Sequence, residues 1–173
     1  MTIHSEHPFD TPEGDRDQVR RLRGRIGGTV SLWTSGEGVD RAGLTVSSFL
    51  VAPGEPGRVV GLLHPDSDLL DQLVETGTAV VALLGARDQR LADAFAGTMP
   101  APGGPFRLTD WEQTTWGPRA VSATTWMGVR LDPASRHDVG WSVLVEAEIE
   151  HVEVGVDEAP LVHRRGRYQR PSS

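Results

Sequence analysis

The strongest constraint in this chain is its punctuation: short strand-like runs follow one another, and nearly every one ends at a turn carrying glycine or proline. Gly28 to Ser35 (GTVSLWTS) alternates Val30 and Leu32 with polar partners, the pattern of a half-buried strand, and Ser35-Gly36-Glu37-Gly38 then turns the chain. Gly43 to Val51 (GLTVSSFLV) reads as a second strand, closed by a turn at Pro53 to Gly57, and Val59 to Leu63 as a third. Thr78 to Leu84 (TAVVALL) is apolar enough for a buried strand. Beyond Phe106 the chain is mostly strand. Arg119 to Leu131 and Gly140 to Val154 are long enough to pair as neighbours, and Leu161 to Tyr168 forms a last short element.

Helices are few and irregularly placed. Asp15 to Arg23 is one, with Asp15 as cap and Gly24 as stop. Asp68 to Thr76 is another, with Leu69, Leu70, Leu73 and Val74 on one face and Gly77 closing it. A third follows Asp88, carries Leu91, Ala94 and Phe95 inward and ends at Gly97, before a loop from Thr98 to Pro105. Regular strand–helix alternation is not sustained. The pattern predicts a mainly β protein, a closed antiparallel barrel with a few short helices.

The 173 residues suit one domain with one core. Residues 1–14 are polar, hold Pro8, Pro12 and Gly14, and read as a flexible arm; 15–170 form the single folded domain and 171–173 a tail. The net charge of -7 argues against a nucleic-acid partner. Two short basic clusters, Arg20, Arg21, Arg23, Arg25 and Arg164, Arg165, Arg167, Arg170, lack interleaved aromatics and read as solvated faces or ion-pair sites between subunits. With no cysteine there is no disulfide, thiolate nucleophile or Cys-ligated metal. No apolar run approaches the ~20 residues of a membrane span, and no signal-peptide pattern opens the chain, so the expected location is the cytoplasm, with no membrane partner. Any redox chemistry would need a bound or borrowed cofactor.

Common motifs are missing. There is no G-x-G-x-x-G after a strand, no phosphate-binding G-x-x-x-x-G-K-[ST], no H-E-x-x-H and no G-x-S-x-G. His4 and His7 fall on the arm. His64, His137, His151 and His163 are isolated and read as surface or core residues rather than metal ligands. Glu146, Glu148 and Glu150 alternate along a strand, share one face, and read as a solvent-facing strand edge.

Three segments remain. Gly43-Leu44-Thr45-Val46-Ser47-Ser48-Phe49 sets small hydroxyls at a strand end, where they either face solvent or join backbone amides in meeting a ligand edge of alternating donors and acceptors, such as the pyrimidine edge of a flavin. His64-Pro65-Asp66-Ser67 opens a helix, whose free amides and dipole favour an anion. Ser67 or Asp66 as a plain N-cap is the alternative, and Asp66 and Asp68 oppose an anion. Asp88 to Gly97 (DQRLADAFAG) is a capped amphipathic helix.

In this order and spacing the three segments resemble the flavin reductase-like, FMN-binding family. Arg23-Gly24-Arg25-Ile26-Gly27-Gly28-Thr29-Val30 with Leu32-Trp33-Thr34 is similar to the family's opening helix and strand. Glu146 to Glu150, then Pro160-Leu161-Val162-His163-Arg164-Arg165-Gly166-Arg167-Tyr168, is similar to its closing strand and C-terminal signature. The resemblance spans residues 18–169. It implies an antiparallel, Greek-key-like split β-barrel homodimer with FMN, or FAD in some members, near the subunit interface. Thr45, Val46, Ser47 and Ser48 would lie along the isoalloxazine and ribityl chain. Leu62, Leu63, His64, Pro65 and Ser67 would reach the ribityl and phosphate, and Phe95, Ala96 and Gly97 would border the flavin. The implied activity is hydride transfer from NADH or NADPH to flavin, with reduced flavin passing to a partner monooxygenase.

Two departures from the family pattern stand out. Where many members have Gly-Asp-His before the closing strand, near the nicotinamide site, this chain has Val139-Gly140-Trp141-Ser142, so Trp141 or Ser142 replaces the histidine. Trp141 is either a stacking surface for a ring or a core residue. Gly54-Glu55-Pro56-Gly57-Arg58 stands where Asp-Pro-Pro is common. A flavin carrier or sensor without reductase turnover is therefore the alternative reading.

Overall fold

A computed structural model describes residues 17–169. In chain order the elements are helix α1 (Gln18–Ile26), strands β1 (Gly28–Thr29), β2 (Ser31–Ser35), β3 (Ala42–Val46), β4 (Phe49–Ala52) and β5 (Arg58–Leu63), helix α2 (Asp68–Thr76), strand β6 (Thr78–Leu83) and helix α3 (Gln89–Phe95). Strands β7 (Trp111–Gln113), β8 (Pro118–Ala120), β9 (Trp126–Leu131), β10 (His137–Val139), β11 (Ser142–Glu153), β12 (Val162–Arg164) and β13 (Arg167–Gln169) complete the chain. The N-terminal arm with His4 and His7, the expected cap Asp15, and the tail with Arg170 lie outside the described residues.

The main sheet is antiparallel, in the order β3-β2-β6-β9-β11-β5-β4, with β10 paired to β11. Its edge strands β3 and β4 are consecutive in sequence and joined only by Ser47 and Ser48, so the sheet must curl until its edges meet. They meet where the Leu62 N–H donates to the Ser48 carbonyl at 2.9 Å and the Ser48 hydroxyl donates to the Leu62 carbonyl at 2.8 Å. No ladder joins β3 to β5. The mainly β architecture and the split barrel that the resemblance implied are as expected; the full closure that the element pattern alone suggested is not found, because no ladder crosses this seam.

The two faces of the sheet carry separate cores. Trp33, Val59, Leu63, Val81, Val129 and Val145 fill the inside of the curl, together with Leu69, Leu70 and Leu73 of α2. Val30, Leu32, Val80 and Ala82 face outward and are covered by Leu91, Ala92 and Phe95 of α3 and by Leu161. Because both faces are covered, β2 is buried at every position, not half-buried as its alternation suggested.

Several expected boundaries shift, each for a local reason. The GTVSLWTS run breaks at Val30, whose N–H donates to the Leu161 carbonyl and whose carbonyl accepts from Leu84 N–H; this sends β1 into a separate small sheet with β12 and β13. GLTVSSFLV breaks at Ser47 because its halves belong to opposite edges of the curl. Arg119 to Leu131 is two strands, β8 pairing with β7 and β9 with β6 and β11. Helix α1 starts at Gln18 with the Asp17 carboxylate accepting from Val19 N–H at 3.0 Å, runs through Gly24, and stops at Gly27, where φ is 71°. Helix α2 matches its expected span, although Val74 is exposed. Strand β11 lies between β9 and β5, so the glutamate row is no sheet edge. A register shift between Ile149 and His151 marks a bulge there, and the Glu150 carboxylate accepts from Trp116 Nε1 at 2.9 Å and pairs with Arg130 at 3.1 Å.

Candidate functional site

The seam gathers the three polar segments. At its centre Ser47 and Ser48 are exposed, and neither N–H donates a backbone hydrogen bond among the described residues. The Ser48 hydroxyl ties this crossing to Leu62 and so to the segment that runs into His64 and Pro65, both exposed. The Thr45 hydroxyl donates to the Ala92 carbonyl at 2.6 Å, fastening β3 to α3. Gly43 admits the same helix, since a Cβ there would stand 2.6 Å from Phe95 Cε1. Residues 45–48 are thus bonded on one side to Leu62 and on the other to Ala92.

Not all of these side chains are exposed at the seam. Val46 and Leu63 point into the inner core. Phe95 is buried edge-on against Phe106 and Trp111, at centroid distances of 4.9 and 5.8 Å, while Ala96 and Gly97 are exposed at the end of α3. Ser67 is the N-cap of α2, accepting from Leu70 N–H at 3.3 Å and donating to the His64 carbonyl at 2.9 Å. His64 Nδ1 accepts from Asp66 N–H at 3.1 Å, and Asp68 and Asp71 already occupy the first turn of the helix.

Trp141 and Ser142 lie at the β10–β11 hairpin. Val143 pairs with Leu63, so the hairpin turn follows on beyond the His64 end of β5. Trp141 is 74% exposed, which rules out a core role, and the Arg20 guanidinium sits over its ring at 4.9 Å.

The structure adds residues that the sequence did not bring together. A Cβ on Gly28 would lie 2.9 Å from the Ser47 carbonyl oxygen. Gly28 is register partner to His163, and His163 to Tyr168. Directly paired residues project to the same side of a sheet, so His163 and Tyr168 share the side of the small sheet that meets Ser47. Their rings pack edge-on at 5.4 Å. Burial, then the neighbouring Asp93 carboxylate, pushes the Tyr168 phenol up to about 12. Asp93 also accepts at its carbonyl from Thr98 N–H at 3.0 Å, joining this group to the end of α3. The signal for it was the pairing of β1 with β12, strands separated by most of the chain.

Two other hollows lie away from the seam. One of 610 Å³ is lined by Gly36, Gln72, Glu75, Thr114 and Trp116, and one of 360 Å³ by Arg87, Arg90, Leu91, Leu108 and Ser122. Neither includes any of the expected ligand-binding residues. No helix among the described residues is long and apolar enough to cross a membrane.

Residues 23–172 match the model of the flavin reductase like domain. An NADH:FMN oxidoreductase of Rhodococcus qingshengii is 28% identical over 152 residues, covering 83% of this chain and 75% of that protein. An FMN reductase (NADH) of Ancylobacter novellus, RutF, is 25% identical over 158 residues, covering 91% and 86%. Among solved structures, the Streptomyces globisporus NADH:FAD oxidoreductase SgcE6 superposes with a TM-score of 0.80 at 22% identity, covering 94% of this chain and 97% of that one; that likeness speaks to the fold. With a family match running from the end of α1 through the last strand, this chain belongs to the flavin reductase like domain family.

Proposed function

We propose that this protein binds FMN in the seam and transfers hydride from NADH or NADPH to it, releasing reduced flavin for a partner monooxygenase. The observation that carries the reading is that residues 45–48 are bonded to Leu62 on one side and to Ala92 on the other, with Ser47 and Ser48 exposed at the crossing, in a chain of this family. The crossing suits a flavin: the Ser47 and Ser48 N–H groups, which donate to no backbone carbonyl among the described residues, and the exposed Ser47 hydroxyl offer donors and acceptors of the kind a flavin's pyrimidine edge requires. FMN is favoured over FAD by the Rhodococcus and Ancylobacter relatives, whose names specify FMN and NADH.

Thr45, Val46, Ser47 and Ser48 would hold the isoalloxazine and upper ribityl chain, Val46 by its backbone alone. Leu62, Leu63, His64, Pro65 and Ser67 would border the ribityl and phosphate, with Leu63 contributing backbone and Ser67 acting chiefly as helix cap. Ala96 and Gly97 would close one side, and Phe95 would support them from the core. When bound, the flavin would supply the two-electron chemistry, and these residues of the chain would bind and orient it. Trp141 stands where a ring could stack beyond the His64 end.

Dimerisation is part of the reading. Val19, Leu22 and Ile26 line one side of α1, Leu50 and Val51 lie on β4, and all five side chains are exposed. The Val19–Leu22–Ile26 stripe suits a protein interface, whereas Leu50 and Val51, adjacent on one strand, point to opposite faces, so only one of them joins any one surface.

The test is an absorbance spectrum of the purified protein with added FMN, followed by NADH and then NADPH without oxygen. Protein-bound flavin bands that bleach faster than free FMN are the expected result. Failure to retain FMN at micromolar concentration refutes the site. Bands that persist favour the second reading, a flavin carrier or sensor, which the Trp141-Ser142 replacement of the family's histidine supports.

A further inference from the structure

His163 is half-buried, and its imidazole has no hydrogen bond or ion pair among the described residues. Three observations fix its setting. Its register partner is Gly28, whose missing side chain lets the Ser47 backbone come close: a Cβ there would stand 2.9 Å from the Ser47 carbonyl oxygen. Tyr168 packs against it at 5.4 Å with the rings at 67°. Tyr168 is in turn held beside Asp93, on the turn of α3 that leads to Ala96 and Gly97. Arg164, the next residue, projects to the other side of the small sheet, where its Nε donates to the Arg25 carbonyl at 3.1 Å. The imidazole and the Arg164 side chain are therefore on opposite sides of the small sheet, and the imidazole is on the side that meets Ser47.

We propose that His163 is a flavin-contacting residue that favours the reduced, anionic form of the flavin, and that Tyr168, fixed beside Asp93, is its positioning residue. This rests on the flavin-binding reading above. Two-electron reduction leaves negative charge on the pyrimidine side of a flavin, the side assigned here to Ser47 and Ser48. An N–H donor waiting there in a half-buried setting interacts more strongly with the reduced than with the oxidised ligand. Glycine at position 28 lets the Ser47 backbone lie against the small sheet on the side that His163 shares. Both residues fall in the Pro160–Tyr168 stretch that resembles the family's C-terminal signature, outside the three segments to which the resemblance assigns flavin contacts.

The experiment measures dissociation constants of oxidised and of chemically reduced FMN, without oxygen, for wild type, His163→Gln and Tyr168→Phe, together with the midpoint potential of bound FMN. For His163→Gln the expected result is a loss of about tenfold in affinity for reduced FMN with under about threefold change for oxidised FMN. That difference lowers the two-electron potential by roughly 30 mV at most. Tyr168→Phe shifts the ratio in the same direction by less. In wild type, the His163 ring resonances are expected to move on saturation with oxidised FMN. A folded His163→Gln protein whose reduced and oxidised affinities fall equally, or not at all, overturns the proposal. If that variant does not fold, unmoved His163 resonances together with an unchanged ratio in Tyr168→Phe do so. Wild type that binds no FMN brings down the flavin reading and this proposal together; wild type that binds FMN with an unaffected ratio in the variants removes this proposal alone.

Discussion

Replacing Gly61 with alanine is expected to destabilise the curl sharply, and shrinking Trp33 in the same molecule to remove most of that cost. Gly61 lies on β5, opposite Val145 on one side and Phe49 on the other. A Cβ there would stand 2.8 Å from Trp33 Cη2 and 3.0 Å from Cζ2. Carbon–carbon contacts relax at about 3.5–4.0 Å, so the indole would have to retreat by roughly 1 Å. It has nowhere to go: Trp33 is 0% exposed, its Nε1 donates to Ser31 Oγ at 3.0 Å, and that hydroxyl donates to the Val46 carbonyl at 2.7 Å. Overpacking of this kind costs about 1–3 kcal/mol, and loosening the indole hydrogen bond adds about 1 kcal/mol. For a chain of this length, each kcal/mol lowers Tm by about 2–4 °C, so Gly61→Ala should melt roughly 5–15 °C below wild type. Trp33→Phe removes the ring atoms in conflict, and in that background Gly61→Ala should cost under about 0.5 kcal/mol, a coupling of the size seen between residues in contact. Denaturant and thermal unfolding of the four proteins measure the cycle. A Gly61→Ala protein within about 1 °C of wild type, or costs that simply add, would refute the claim that glycine at 61 is needed to admit the Trp33 ring.

Three further outcomes are expected. Tyr168 is the chain's single tyrosine, so phenolate absorbance reads it alone. Its pKa is raised from 10.0 to about 12, so the stability its neutral form contributes is intact below pH 10 and lost as pH rises from there through about 12; a native titration midpoint near 10 contradicts the packing described. Glu150, lowered by its bond to Arg130 and then by Trp116, and Glu153, lowered chiefly by Trp126, contribute stability that is present above their ordinary value of 4.5 and lost as pH falls below it. Glu150→Gln with Glu153→Gln should flatten the acid side of the Tm–pH curve, and an unchanged acid slope counts against it. Leu22→Glu on α1 should convert a sedimenting dimer to monomer, whereas a wild-type monomer at micromolar concentration defeats the dimer itself.

Much of the fold was legible because local signals agreed with it. Helix α2 reads correctly because Ser67 caps it, Gly77 stops it with φ at 75°, and its leucines fall on one face. Strand β6 reads correctly because an apolar run of that length is buried on both faces. The misread places are those where long-range partners decide. Nothing local says that Val30 bonds Leu161 on one side and Leu84 on the other, so an unbroken strand was expected where the chain changes sheets. Likewise β2 alternates in sequence, yet α3 and Leu161 cover the face that alternation assigns to solvent. Glycines 43, 61 and 128 look like ordinary strand weakeners, whereas each admits an aromatic ring, of Phe95, Trp33 and Trp116 respectively.

The hydroxyl-rich crossing teaches a finer distinction. Sequence reasoning weighed its serines and threonine as either solvent-facing or ligand-facing, but Thr45 and Ser48 are neither: each donates to a carbonyl of another element and so builds the seam. What those two residues have left for a ligand is oxygen lone pairs and backbone amides. Ser47 alone has an exposed hydroxyl without a partner among the described residues. Two neighbouring serines should therefore respond differently to the same change. Ser48→Ala loses a bond that ties the crossing to β5, with a cost of about 1 kcal/mol, and should lower Tm and FMN affinity together. Ser47→Ala should leave Tm within experimental scatter while weakening FMN, which thermal melts and fluorescence titration separate. Equal effects on both quantities at both positions would mean that the crossing is structural throughout and that the ligand is held elsewhere.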